Sequence, residues 1–129
     1  YVRLGQAYAA ALSAIEGVTV MPGFGQDWAG TTCNVEFTWP DTGKVARYLV
    51  GAGIESGHWW ARGCHQHEAF AACSSTPLEV TRHLADHTLA LPFHLRLGPA
   101  ELNRIVMSLA ASLGDAGEAL DERTVAQAG

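Results

Sequence analysis

One lysine, three cysteines and no apolar run near the length a bilayer requires set the first limits on this chain. A membrane-spanning helix needs about 20 consecutive apolar residues. No segment approaches that, and no basic, then apolar, then small-residue order opens the chain as a secretory signal would. A soluble, internal protein is expected. Cys33, Cys64 and Cys73 are odd in number and lack the density and spacing of a disulfide framework, which favours a reducing cytoplasm. The eight basic residues are scattered rather than striped and the net charge is −5, so the electrostatic footprint of a nucleic-acid binder is missing. Charged residues make up 16% against 48% hydrophobic ones, an apolar balance that leaves room for a surface facing another domain or subunit. No linker or internal repeat divides the 129 residues, a length suited to one domain around one core. The chain opens on Tyr1 rather than Met, from which processing or truncation upstream is expected.

Periodicity supplies the elements. Leu4, Tyr8, Leu12 and Ile15 recur at helical spacing over residues 2–15, and Gly17 marks a stop. Val18 to Met21 is short and apolar, and glycines make 23–30 a loop. Cys33, Val35, Phe37 and Trp39 alternate with polar residues from Thr32 onward, the period of a half-buried strand with one wet face. Val45, Tyr48, Leu49 and Ala52 predict a second helix closing at Gly51 to Gly53. Ile54 to Trp60 can be extended, and Arg62 to Ser75 reads as an ordered loop. Thr76-Pro77-Leu78-Glu79 combines a capping hydroxyl, a proline for the first helical position and a glutamate three residues after the cap, predicting a third helix to about Thr88. Leu89 to Phe93 is a short apolar strand. Pro99 opens a last helix whose stripe is Leu102, Ile105, Val106, Leu109 and Leu113, ending at Gly114. The expected fold is α+β, a small mostly antiparallel sheet with helices packed on one face. One domain is expected over 1–114 and a frayed tail over 115–129.

Against this regular background Gly53 to Phe70, GIESGHWWARGCHQHEAF, crowds two Trp, three His, a Cys and an Arg into one run. Groups that stack, donate and titrate are costly to bury without partners, so the run predicts a lined site rather than a core element. Trp59 and Trp60 can stack on a sugar or base, but neighbours on a strand point to opposite faces, which leaves one of them for packing. His65 and His67 share a face if the segment is extended. The Arg62 guanidinium suits a diphosphate, although an exposed arginine needs no ligand.

Gly53-Ile54-Glu55, Trp59-Trp60, Gly63, His65, His67 and Ala69-Phe70, followed by Pro77 and by Leu89 to Phe93, form an ordered series of motifs. The series resembles the C-terminal domain of the DegT/DnrJ/EryC1/StrS sugar aminotransferases, fold-type-I enzymes dependent on pyridoxal phosphate. The resemblance implies a nucleotide-linked keto-deoxysugar as substrate, a homodimer for the complete enzyme, and His65 near the bound substrate. It also implies a separate large domain that carries the Schiff-base lysine and the acid at the pyridinium nitrogen. Lys44 matches no cofactor-lysine motif and reads as a solvated surface residue, so no cofactor is expected to be bound covalently to this chain, which alone should not transaminate. Two departures stand out. Gly57 and His58 occupy the place where many relatives have arginine, a fixed charge that His58 supplies only when protonated, and Gly63-Cys64 replaces a proline-containing spelling. A free-standing remnant or dimerisation module of the same fold is the alternative. So is a small metal protein using Cys64, His65, His67 and His58, or His83 and His87 four apart on one helix face.

Overall fold

The computed structural model describes residues 1–26, 29–39, 42–59 and 63–127, with the backbone path alone over 115–127. Along the chain run α1 (Val2–Leu12), β1 (Val18–Val20), β2 (Cys33–Phe37), α2 (Thr42–Gly51), α3 (Glu79–His87), β3 (Thr88–Leu91) and α4 (Pro99–Gln127). The three strands form an antiparallel sheet in the order β1-β2-β3, with Val20 opposite Val35 and Val35 opposite Leu89. The α+β class expected from the sequence is therefore the one observed.

Alternation along β2 builds the core. Cys33, Val35 and Phe37 point one way and are fully buried among Tyr8 and Leu12 of α1, Val45 and Leu49 of α2, and Ile105 and Leu109 of α4. Each large apolar side chain taken out of water there contributes about 1.5–3 kcal/mol. The opposite face of β2 is drier than its polar residues imply: Asn34 is buried, and Glu36 is covered by α3, whose His83 Nε2 lies 2.7 Å from Glu36 Oε1. Three helices thus pack the apolar face, while α3 lies over the polar one.

Several boundaries differ from the sequence reading. α1 stops at Leu12, before Ile15, because the chain turns through residues 13–17 to enter β1 with Gly17 at φ +76°. α3 begins at Glu79, and Leu78, at φ −109° and ψ 55°, separates Thr76 and Pro77 from it, so the expected capping box does not form. α4 continues through Gly114, where a Cβ would meet nothing within 4 Å. A glycine inside a helix costs about 1 kcal/mol relative to alanine. Gly25, at φ +75°, lets the loop after β1 press against α1, where a Cβ would lie 2.7 Å from that of Ala9. Tyr8 crosses the core to donate its hydroxyl to the Pro92 carbonyl at 2.9 Å, and burial pushes its phenol well above the usual range.

Candidate functional site

The run that opens at Gly53 is anchored at its start. Gly53, at φ +70°, closes α2, and Arg104 of α4 donates to the carbonyls of Ala52 at 3.0 Å and Gly53 at 3.4 Å, pairing acceptors that a helix end leaves open. Ile54 then drops into the core at 3% exposure. Gly57 exchanges two backbone hydrogen bonds with Ala90, which adds a one-residue rung beside β3. The expected extended course is confirmed there.

His58 follows directly and is tied down by one atom. Its Nε2 lies 3.0 Å from Oγ1 of Thr42, the first residue of α2, and the same hydroxyl donates to the Asp86 carbonyl at 3.3 Å. The imidazole is otherwise exposed. Trp59 is 61% exposed. Trp60 and Arg62 lie outside the described residues.

Beyond Gly63 the segment coils rather than extends. Cys64–Gln66 and Glu68–Phe70 are two 3-10 turns, so His65 and His67 do not share a strand face as the sequence reading allowed. The cause is local: Gly63 adopts φ +80° and ψ 151°, a region open essentially to glycine, and turns the chain back on itself. A Cβ on Gly63 would lie 2.9 Å from both His65 Nδ1 and Thr81 Cγ2, so Gly63 sits close to both the His65 ring and α3. Among the described residues His65 Nε2 is buried without a partner. His67 has a local task, accepting the Ala69 amide at Nδ1 and packing edge-on against Phe70. No hydrogen bond or ring contact joins His58, His65 and His67 to one another among the described residues.

A cleft of about 290 Å³ lies beside the Gly53 turn, lined by Gly53, Ile54, Glu55, Pro92, His94, Leu97, Glu101, Arg104 and Ile105. Sequence reasoning missed it and missed Arg104, whose neighbours Ile105 and Val106 draw attention to the apolar stripe instead. It also missed Thr42, whose only signal is a hydroxyl at a helix start.

Among the described residues no group of three or more His, Cys, Asp or Glu is placed to hold an ion. His83 and His87 stack with ring centroids 4.1 Å apart, and His83 turns to Glu36, so the two do not converge on a shared point. The sole lysine, Lys44, is half-buried in the first turn of α2 and engaged in an interaction of its own, and the cleft beside Gly53 contains no lysine.

No curated protein matches the chain. Among solved structures, the aminotransferase TlmJ from Streptoalloteichus hindustanus is similar over 89% of this chain and 31% of its own, with TM-score 0.76 and 20% identity. DesI, solved in the presence of its TDP-sugar product, is similar over 93% of this chain and 32% of its own, with TM-score 0.72 and 24% identity. Helicobacter pylori PseC, an aminotransferase involved in the biosynthesis of pseudoaminic acid, is similar over 88% of this chain and 32% of its own, with TM-score 0.74 and 11% identity. At such identities the likeness is one of fold, and this chain spans about a third of the length of each of the three. The model of the DegT/DnrJ/EryC1/StrS aminotransferase family matches residues 3–110, from the first turn of α1 to the apolar stripe of α4, and the chain belongs to that family.

Proposed function

We propose that this chain is the C-terminal small domain of a sugar aminotransferase dependent on pyridoxal phosphate, and that it supplies a substrate-facing wall while another domain supplies the cofactor lysine. One observation carries the reading: the family match takes in residues 3–110, yet the chain spans about a third of its structural neighbours and has only Lys44 to offer a Schiff base. In the complete enzyme, taken as a cytoplasmic homodimer, the cofactor would act as an electron sink for amine transfer. The substrate class is a nucleotide-linked keto-deoxysugar, in line with the TDP-sugar product named for DesI. On this chain Trp59 offers an open ring for stacking, while His58 and His65 offer ring nitrogens. Trp60, Arg62 and His67 are the remaining residues proposed for substrate contact; Trp60 and Arg62 lie outside the described residues, and His67 Nδ1 is engaged by the Ala69 amide.

The test uses the protein that carries this chain together with its cofactor domain. Supplied with pyridoxal phosphate and an amino donor, it should aminate a TDP-linked keto-deoxysugar, and Trp59→Ala should raise KM about threefold to tenfold through lost stacking. Borohydride reduction should leave Lys44 unmodified, and Lys44→Arg should retain activity. Cofactor trapped on Lys44 would overturn the division of labour, and failure to aminate any nucleotide keto-sugar would overturn the substrate class.

A further inference from the structure

We infer that Thr42 is a positioning residue that sets the tautomer of His58, so that the site meets its ligand there with a hydrogen-bond acceptor. This rests on the reading of His58 as substrate-facing. A threonine hydroxyl has one proton and two lone pairs. The Asp86 carbonyl can only accept, so the Thr42 proton goes to it, and Oγ1 is left to accept from His58 at 3.0 Å. His58 must then carry its proton on Nε2. In the neutral ring Nδ1 is consequently bare, and it makes no hydrogen bond among the described residues. What it can receive is a donor, such as a sugar hydroxyl, and not a phosphate oxygen. His58 is expected to supply the lost arginine's charge only when protonated; in its neutral form the same ring offers an acceptor instead.

Thr42 is 3% exposed at the start of α2, and its hydroxyl links His58, next to the strand-like rung at Gly57, to Asp86 of α3. A valine in its place fills nearly the same volume, so the loss is one of hydrogen bonding rather than of packing.

Histidine-selective 15N labelling reads the ring directly, with His58→Gln identifying its signals. In its neutral form the wild-type His58 ring should show a protonated Nε2 and a bare Nδ1. Thr42→Val should move both nitrogen shifts toward the average of a freely exchanging ring, and Thr42→Ser should restore them. In the complete enzyme Thr42→Val should raise KM for the nucleotide keto-sugar about fivefold with kcat changed less than twofold, and Thr42→Ser should return KM to within twofold. A wild-type His58 protonated on Nδ1, or a ring unmoved by Thr42→Val, would overturn the inference. A ring that moves while KM stays constant would overturn the substrate-facing reading of His58 on which it rests.

Discussion

Burial separates Cys33 from the two other thiols. It sits on the core face of β2 at 0% exposure, whereas Cys64 and Cys73 are exposed. Loss of solvation pushes its thiol from 9.0 up to about 12, because the thiolate would have to form in an apolar surround. The unfolded chain therefore releases this proton at lower pH than the folded one. Stability from the neutral thiol is complete below pH 9.0 and is lost as pH rises toward about 12, at no more than about 1.4 kcal/mol per pH unit. Tyr8, whose phenol is raised from 10.0 by burial first and by its proximity to Cys33 second, adds to the decline in the same direction. Urea midpoints should fall on the alkaline side of pH 9.0, and less steeply in Cys33→Ala. A thiol reagent at neutral pH should titrate two cysteines at once and the third only after unfolding. Three fast thiols would contradict the placement of Cys33. Residue roles of this kind were unevenly legible. The alternation from Cys33 to Phe37 announces which side chains are buried. Nothing in the local pattern links Thr42 to His58 and Asp86, because those partners lie 16 and 44 residues away and are joined only by the fold.

Among the elements, α3 is the loosest. It buries none of its residues, and its attachments are polar: the Glu36–His83 contact, the Thr42 bond to the Asp86 carbonyl, and the passage into β3 at Thr88. Glu36 and His83 are 34% and 52% exposed, so solvent screens their interaction to well under about 1 kcal/mol. α2 and α4, by contrast, lock Val45 and Leu49 against Ile105 and Leu109. Hydrogen exchange should therefore be faster across Glu79–His87 than across the middle of α2 or α4, and Glu36→Gln should speed α3 while leaving α4 unchanged. Equal protection in all three helices would show that α3 shares the global opening. The same contrast explains what pattern could and could not reveal about elements. A stripe such as Leu102, Ile105, Val106, Leu109 and Leu113 reports a helix packed on a core. For α3, with no buried face, the capping signature was the only guide, and Leu78 in a non-helical conformation moved the start past it.

On the scale of the molecule, a single core is closed by segments on both sides of an exposed excursion. Every residue from Cys64 to Pro77 except His65 is exposed, and the turns there are held by short-range backbone bonds. The sheet joins β2 to β3 from Cys33 opposite Leu91 to Glu36 opposite Thr88, and α4 returns to pack on α1 and α2, so neither part can bury its apolar residues alone. Cutting the excursion breaks one covalent link and none of those contacts. A glutamate-specific protease acting at Glu68, or chymotrypsin at Phe70, which is 47% exposed, should nick the chain early. The two pieces should keep the helical circular dichroism of the intact protein, co-elute in size exclusion, and part only in urea. Separation without denaturant would mean that the excursion carries structural free energy of its own. Cohesion would show that the stretch bearing His65 and His67 can be rearranged at little cost to the fold. In the proposed substrate-facing wall that freedom lets His65, whose Nε2 is buried without a partner among the described residues, find one.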